Sequence, residues 1–431
     1  MKKNEDRDIS FLGKIILFFK RLIEYVAGLR IPQRIIAHEK KIAGYNGPDS
    51  PREAKLSFVF GMSRLFAIVF LCIILTAVLV FGGSAIAYDN VYYMFRDIGF
   101  MSSFNESRPD SLNYSRPFEN QDFTTFKNGL AVAGDSEIKL FASTGSATLT
   151  DGLGYTNPKI TSSDSTVLVY DQGRKSFSVY NSFVRLYTET LDYPISYADM
   201  APDGSFCVVT RSSEYGSVVR VYDEKFRLES EVFKNDYVIS VSMSDSGRNI
   251  AVLSLGAKEG ESVTTLTVIE RGKQKPRSSV SINDVMPYTA SFISDGSIAV
   301  ICAEGAYVYN LDGKVQNNCE YPSKLANVSV SENGFALLFK NNDLNSGYVL
   351  HLYGEFGNLL RRVDLSGHVS AVELGEKYVY VLFDTEIKRI DITLGLSSTV
   401  KFKDEVSELV AFSDGSLMAC TDTVAYYISF S

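Results

Sequence analysis

One long apolar stretch divides the chain into two unequal parts. The 24 residues from Leu65 to Tyr88 carry no charge, and Arg64 and Asp89 bound them. At about 1.5 Å per residue a helix of this length spans roughly 36 Å, which exceeds the ~30 Å hydrocarbon core of a bilayer. We therefore predict a single transmembrane helix over residues 64–88.

The charges on either side of this stretch predict its orientation. Residues 1–64 carry 13 Lys and Arg against 7 Asp and Glu, a net charge of +6, whereas residues 65–431 carry a net charge of −14. Because basic residues beside a span stay in the cytoplasm, we expect residues 1–63 to be cytoplasmic. Residues 89–110 would form a juxtamembrane stalk, and residues 111–431 would lie outside the cytoplasm at the cell membrane.

A cleaved signal peptide is the alternative to this signal-anchor. Ala85-Ile86-Ala87 resembles a cleavage site. The apolar run is, however, longer than a usual signal sequence, and about 60 residues precede it. These features favour an uncleaved anchor.

The cytoplasmic segment has a helical period from Ile9 to Leu29. Basic side chains such as Lys14 and Arg21 fall on one side of the helical wheel, and large apolar side chains fall on the other. This basic amphipathic pattern predicts a helix that lies in the membrane interface or packs on another membrane protein. The sequence leaves both open.

Beyond residue 112 the pattern changes to short strands and turns. Runs rich in Val, Ile, Tyr and Phe alternate with Gly, Asp and Asn, which predicts β-strands. One turn recurs eight times, at Lys127-Asn128-Gly129, Ser163-Asp164-Ser165, Pro202-Asp203-Gly204, Asp245-Ser246-Gly247, Ser294-Asp295-Gly296, Glu332-Asn333-Gly334, Gly375-Glu376-Lys377 and Ser413-Asp414-Gly415. The third residues of these turns are 36, 39, 43, 49, 38, 43 and 38 positions apart.

A strand repeat with this period predicts the blades of an all-β β-propeller. Eight blades are favoured and seven are possible; a tandem of β-sandwiches and an open solenoid are the alternatives. The last repeat shows three strands, the third at Val424–Ile428. Because a closed ring leaves only short strand edges, we expect Leu112 to Phe118 to supply the missing fourth strand.

The junction Asp89-Asn90-Val91-Tyr92-Tyr93, the following Arg96-Asp97 and the strand repeats resemble an uncharacterised family of membrane-anchored β-propeller proteins from clostridia-like Firmicutes. The resemblance covers roughly residues 60–431. It implies the topology and the fold, and it implies no function.

The sequence lacks the motifs of most catalytic and metal sites. It has no Trp and three His, at positions 38, 351 and 368, and it shows no His-Glu-x-x-His, nucleophile-elbow or phosphate-loop motif. Asn341–Gly347 alternates oxygen side chains as calcium loops do, but its Gly is one place late and the distant Glu is missing, which favours a polar hairpin loop. We therefore expect no catalytic residue, no metal and no other cofactor.

The outer cysteines are predicted to be small buried hydrophobes. They lie in separate strands, which does not suit a disulfide framework. They are Cys207, Cys302, Cys319 and Cys420.

Loops on one face of the predicted propeller form a candidate binding site. We name the strands of a blade A to D from the channel outwards, so that the B–C loops and the D–A connections between blades share a face. Aromatic side chains beside carboxylates and Pro are typical of binding surfaces; the alternative is that the Tyr-Pro pairs only pack each loop on the next blade. This candidate rim comprises Asp192, Tyr193, Tyr215, Asp236, Asp284, Tyr288, Tyr321 and Asp343.

These features favour a non-enzymatic binding or scaffold module for a protein or glycan partner at the cell envelope. The alternative is a propeller hydrolase or lyase with its site at the channel mouth. The A strands, which line the channel, carry mostly Ser, Ala, Asn and Val, which favours the module. The acidic outer part argues against nucleic acid as a partner, because nucleic-acid binding needs a basic surface.

Overall fold

The computed structural model describes residues 66, 68–72, 109–114, 120–273, 275–341 and 347–430. Residues 66 and 68–72 are helical with exposed side chains. The described residues contain no helix that is long and apolar enough to cross a membrane. The predicted amphipathic helix, most of the predicted span and nearly all of the predicted stalk lie outside the described residues.

Thirty-two strands of the described chain form eight antiparallel sheets of four strands each. The A strands are β2 (Gln121–Phe126), β6 (Pro158–Ser162), β10 (Ile195–Met200), β14 (Tyr237–Met243), β18 (Pro287–Ser294), β22 (Leu325–Ser331), β26 (Val369–Leu374) and β30 (Glu408–Ala411). The B strands are β3 (Gly129–Gly134), β7 (Val167–Asp171), β11 (Phe206–Arg211), β15 (Asn249–Lys258), β19 (Ser297–Cys302), β23 (Gly334–Lys340), β27 (Tyr378–Phe383) and β31 (Leu417–Cys420). The C strands are β4 (Glu137–Phe141), β8 (Ser176–Tyr180), β12 (Ser217–Tyr222), β16 (Glu261–Glu270), β20 (Gly305–Asn310), β24 (Gly347–Gly354), β28 (Glu386–Asp391) and β32 (Val424–Ile428). The D strands are β5 (Ala147–Gly152), β9 (Arg185–Thr190), β13 (Leu228–Lys234), β17 (Pro276–Asn283), β21 (Val315–Glu320), β25 (Leu359–Ser366), β29 (Ser397–Lys401) and, for the last sheet, β1 (Ser111–Asn113).

The eight sheets, numbered as blades 1 to 8 from β2 onwards, close into a ring. The A strand of each blade contacts the A strand of the next, and β30 contacts β2. A hydrophobic cluster lies at each of the eight boundaries between neighbouring blades. The fold is therefore an all-β, eight-bladed β-propeller, and the favoured blade number is confirmed.

The start of the propeller sequence completes blade 8. Its strand order is β1-β32-β31-β30, and Leu112 pairs with Ala425 in the antiparallel ladder between β1 and β32. Leu112 and Tyr114 are buried in the cluster between blades 8 and 1. The predicted closing strand is thus confirmed for residues 111–113, while residues 115–119 lie outside the described part.

The B strands form the interior of each blade because neighbouring blades cover both of their faces. Every residue of β3 and β19, for example, is buried. Small and branched apolar residues suit such a strand. As predicted, the outer cysteines are buried and form no disulfide: Cys207, Cys302 and Cys420 in B strands and Cys319 in a D strand.

All eight recurring turns connect an A strand to a B strand. Gly204 and Gly415 have φ angles of +87° and +83°, which residues with a side chain rarely adopt. The repeat recognised in the sequence is therefore the A–B hairpin of each blade.

Candidate functional site

The B–C loops and the D–A connections open on one face, as predicted, and they are hydrogen-bonded to each other. A D–A connection contacts the B–C loop of the blade that follows it in three blades, at 2.8, 2.9 and 3.0 Å: Tyr193–Ser213, Met286–Glu304 and Ser407–Asp422. The chain enters the propeller on the opposite face, where Pro109 lies against Gly145 in the C–D turn of blade 1.

Tyr193 links two loops of the rim. Its hydroxyl lies 2.8 Å from Ser213 Oγ, and its side chain is partly buried. The neighbouring carboxylate, Asp192, is exposed. The phenol therefore fixes the connection between blades 2 and 3, and the carboxylate is open to a partner.

Blade 3 presents an exposed aromatic pair. The rings of Tyr215 and Phe233 lie 4.9 Å apart at an interplanar angle of 43°. Tyr237, at the other end of the same D–A connection, is 63% exposed. Phe233 and Tyr237 are additions to the predicted rim. Their signal in the sequence is an aromatic residue on each side of Lys234-Asn235-Asp236.

Asp236 sits where two loops approach closely. A Cβ on Gly256 would overlap with the Asp236 carboxylate, and a Cβ on Gly216 would overlap with the backbone of Asn235 and Asp236. Only Gly allows the B–C loops of blades 3 and 4 to pack on this connection without a shift. Asp236 is therefore positioned by backbone packing from two sides.

The connection between blades 4 and 5 holds a second exposed group. Tyr288 and Met286 are 52% and 53% exposed, and Asp284 is exposed with a φ of +58°. Glu304 accepts a hydrogen bond from the Met286 amide at 2.9 Å. Thr264, in the long β15–β16 hairpin of blade 4, donates to the carbonyl of Val285 at 2.9 Å. The β15–β16 hairpin therefore contacts both connections: that between blades 3 and 4 through Gly256, and that between blades 4 and 5 through Thr264.

Two predicted rim residues differ from the rest. The Tyr321 hydroxyl donates to the Cys302 carbonyl at 3.0 Å, and its ring centroid lies 5.0 Å from that of Phe339. Burial raises the pKa of this phenol well above its usual range. Tyr321 thus bonds its loop to blade 5 and packs it on blade 6, the next blade, as in the alternative for the Tyr-Pro pairs. Asp343 and the rest of the calcium-like stretch, except its two ends, lie outside the described residues.

A cleft of about 400 Å³ opens beside the Tyr215–Phe233 pair, between β13 and blade 4. The carboxylate of Glu231 is paired with Arg220 at 2.9 Å, whereas Lys234 Nζ donates to Thr267 Oγ1 at 2.6 Å. Burial lowers the pKa of Lys234, and the nearby Asp236 opposes this shift. The cleft lining offers an apolar wall and one ammonium group to a partner: Glu231, Val232, Phe233, Lys234, Thr267 and Pro276.

The A strands carry charged groups outside the predicted site, so the expectation of small and uncharged residues there is incomplete. These are Asp122, Lys159, Asp199, Glu373 and Glu408. Several A-strand side chains accept a hydrogen bond from the A-strand backbone of the next blade: Asp122 from Ile160 at 2.9 Å, Asp199 from Met243 at 2.7 Å, Ser242 from Phe292 at 3.2 Å and Ser329 from Leu374 at 2.9 Å. These polar groups therefore join neighbouring blades.

Burial shifts the protonation of these carboxyls. It raises the pKa of Asp199 to about 6, that of Glu373 to about 7 and that of Glu408 to about 8. Asp122 and Glu373 raise the pKa of Glu408 further, whereas Lys159 opposes the shift. Glu373 and Glu408, in blades 7 and 8, thus hold protons near neutral pH.

The two outer histidines are engaged inside the protein. His351 is buried with Nδ1 3.2 Å from the Tyr353 hydroxyl, and His368 Nδ1 lies 3.0 Å from Asp384 on the surface. His351 Nε2 has no hydrogen-bond partner among the described residues. In that same part of the chain, no group of three or more His, Cys, Asp and Glu side chains is arranged to hold a metal ion.

Solved structures share this fold at low sequence identity. BamB from Moraxella catarrhalis is 11% identical with a TM-score of 0.52, covering 74% of this chain and 98% of its own. Sqt1 from Saccharomyces cerevisiae is 9% identical with a TM-score of 0.55, covering 75% and 100%. Sqt1 from Chaetomium thermophilum, bound to the N-terminus of ribosomal protein L10, is 12% identical with a TM-score of 0.52, covering 74% and 98%.

These likenesses concern the fold alone. No curated protein matches the chain at a significant level. The model of DUF5711, a family of unknown function, matches residues 110–426, from the residue before β1 into β32. Because this match covers nearly the whole ring and more than half of the chain, the chain belongs to the DUF5711 family.

Proposed function

We propose that this protein is a membrane-anchored, non-enzymatic binding or scaffold module, with its propeller outside the cytoplasm and its rim as the partner-binding surface. The uncharged stretch Leu65–Tyr88 and the change of net charge across it support the anchor and the orientation. The similar propeller of Chaetomium thermophilum Sqt1 is bound to a terminal segment of another protein, which supports a protein partner.

One observation carries the choice of the rim. Tyr215, Phe233, Tyr237 and Tyr288 are exposed on adjacent blades, on loops held by hydrogen bonds and close backbone packing. Large aromatic side chains contribute much of the free energy at protein interfaces, and a loop already ordered loses less entropy when it binds.

The charges of the rim indicate the chemistry of the partner. Asp192, Asp236 and Asp284 lie close in the chain to Tyr193, Tyr237 and Tyr288, and Asp192 and Asp284 are exposed. A basic or polar protein segment would pair with the carboxylates while its apolar side chains contact the rings. A glycan stacked on the tyrosines is the alternative partner.

Replacement of the exposed rings tests this function. The variant carrying Tyr215→Ser, Tyr237→Ser and Tyr288→Ser should keep the parent's melting temperature and lose at least ten-fold in the partner recovered from cross-linked membranes. The matched control carries Phe356→Ser and Leu394→Ser on the opposite face and should recover the partner as the parent does. Equal recovery by the rim variant and the parent would refute the assignment.

The alternative hydrolase or lyase has one observation in its favour. Burial, and after it Asp122 and Glu373 on neighbouring A strands, raise the pKa of Glu408 to about 8, and such groups can serve acid–base chemistry. A folded Glu408→Gln variant that loses the activity of the protein in cells, while the rim variant retains it, would favour the enzyme.

A further inference from the structure

The face opposite the rim carries an apolar patch on blades 5, 6 and 7. Six large side chains at or beside the C–D turns are between 48% and 69% exposed: Val315, Phe356, Leu359, Leu360, Leu394 and Leu396. We call these six residues the apolar patch. Exposed apolar groups of this extent usually mark a contact surface.

Hydrogen bonds between blades hold the patch together. Asn317 of blade 5 donates to the Gly357 carbonyl in the C–D turn of blade 6 at 2.8 Å. Arg361 of blade 6 donates to the carbonyls of Ile392 and Thr393 in the C–D turn of blade 7 at 3.1 and 2.5 Å. The C–D turns of blades 6 and 7 are therefore each fixed on the D strand of the preceding blade, which holds the six side chains on neighbouring blades of one face.

The fold itself does not require apolar residues at these positions. The D strand begins with Ala147-Thr148 in blade 1 and with Pro276-Arg277 in blade 4. Blade 6 instead begins its D strand with Leu359-Leu360. Exposed apolar side chains recur at this position in blades 2 and 3, at Val184, Leu186 and Leu228, and the apolar patch on blades 5 to 7 is the larger of the two groups.

The chain enters the propeller on this same face. Pro109 lies against Gly145 in the C–D turn of blade 1. The uncharged stretch ends at Tyr88, 21 residues before Pro109. A connection of this length reaches at most about 70 Å even when fully extended. A propeller anchored through it would remain within that distance of the bilayer, where a tether raises the effective concentration of a weak contact.

We propose that the apolar patch docks on the lipid bilayer, with its Leu and Phe side chains in the interface between headgroups and acyl chains. The proposal rests on the membrane anchor of the proposed function. In this proposal the C–D face contacts lipid, and the rim on the other face stays free for the protein partner of the proposed function.

The charges of this face favour apolar insertion over binding of anionic headgroups. Seven of the eight A–B turns carry a carboxylate near the channel axis: Asp164, Asp203, Asp245, Asp295, Glu332, Glu376 and Asp414. Among the basic side chains near the circumference, Arg277 is paired with Asp312 at 2.9 Å, whereas Lys225, Lys273, Lys275 and Lys314 are exposed at the C–D turns. The seven carboxylates outnumber these four lysines, and apolar burial supplies the attraction, so docking should need no anionic lipid.

The absence of Trp from the sequence makes a direct test available. Leu394→Trp and Phe356→Trp each place a single fluorophore in the patch, and Tyr237→Trp places the matched control on the rim. The full chain is reconstituted in nanodiscs of zwitterionic lipid with or without brominated acyl chains, which quench nearby Trp. We expect at least two-fold quenching and a blue-shifted emission for both patch variants and unchanged emission for Tyr237→Trp.

Several results would overturn the proposal. One is equal emission with and without bromine in both patch variants; another is quenching of Tyr237→Trp. A blue shift without quenching that grows with protein concentration would assign the patch to a second copy of the chain. Failure of the full chain to co-purify with nanodiscs would remove the anchor itself. Co-purification without quenching would leave the anchor intact and refute the docking alone.

Discussion

The two faces of the propeller expose different kinds of side chain. The rim carries tyrosines beside carboxylates, on loops that hydrogen-bond to each other, whereas the opposite face carries Leu, Val and Phe at its circumference and carboxylates near its axis. Tyrosine and aspartate offer directional contacts that discriminate between partners. Aliphatic side chains offer area without direction, which suits a lipid surface.

Chain topology accounts for part of this difference. The A–B and C–D turns only close hairpins within one blade and stay short, while the D–A connections and B–C loops lie at the other end of the strands. The β15–β16 hairpin shows how far a B–C loop can extend. Each of its two strands has 10 residues, against 4 to 8 in the B and C strands of the other blades. Surface loops on a rigid scaffold are the usual carriers of binding.

The largest expected effect is a loss of stability when ring closure, on which both faces depend, is disturbed. Leu112→Asp would place a charge in the cluster between blades 8 and 1, where Leu112 is 2% exposed. An unpaired buried charge should lower the free energy of unfolding by about 3 kcal/mol or more. Thermal unfolding followed by circular dichroism measures this, and Ser111→Asp, on the exposed neighbour in β1, is the control. Similar melting of both variants would argue against closure through β1.

A smaller and more local effect is expected at Gly256, which would affect the rim and spare the opposite face. The Cβ of Gly256→Ala would overlap with the Asp236 carboxylate, so the connection between blades 3 and 4 must shift. Overpacking of this kind lowers stability by about 1–3 kcal/mol. We expect loss of partner binding with little change in quenching of a Trp at Leu394.

Gly152 provides the control for that variant. It lies in a D strand where an added Cβ would come no closer than 4.0 Å to Ser136 O. Gly152→Ala should leave both stability and binding unchanged. Normal binding by Gly256→Ala would mean that the position of Asp236 does not matter to the partner.

The smallest effect, counted per pH unit, comes from a carboxyl group in the channel between the faces. The pKa of Glu408 is raised from 4.5 to about 8, so between these values the folded state holds a proton that the unfolded state has released. Stability should therefore fall as the pH rises across this window, by up to about 1.4 kcal/mol per pH unit for each such group. Glu408→Gln should flatten the dependence of the melting temperature on pH. A slope unchanged from the parent would contradict the assignment to Glu408.

The sequence predicts the strand repeat better than it predicts which side chains are exposed on the two faces. The recurring turns identify the eight A–B hairpins, and the missing strand of the last repeat points to Leu112. Both follow from local patterns, since hairpins and buried strands depend on neighbours in the chain. Tyr215, Asp236 and Tyr288 of the predicted rim lie on the face that this logic predicts, and their role in binding stays a prediction.

Other features depend on contacts that a local pattern does not contain. Tyr321 belongs to the predicted rim, but its ring packs on Phe339 of the next B strand. The carboxylates of Asp122 and Glu408 come together only because the ring closes between blades 8 and 1. The apolar patch joins residues about 40 positions apart, and Arg361 connects two of its turns through hydrogen bonds between blades. Such features need the three-dimensional order of the blades.

The proposed function places partner binding on the rim. A photo-reactive side chain at Tyr237 or, as the matched control, at Phe356 tests it in intact cells that express the full chain. Illumination should yield a discrete cross-linked protein from position 237 that the Asp236→Asn and Tyr288→Ser double variant diminishes, and no such species from position 356. The same species arising from position 356 and absent at position 237 would contradict the account.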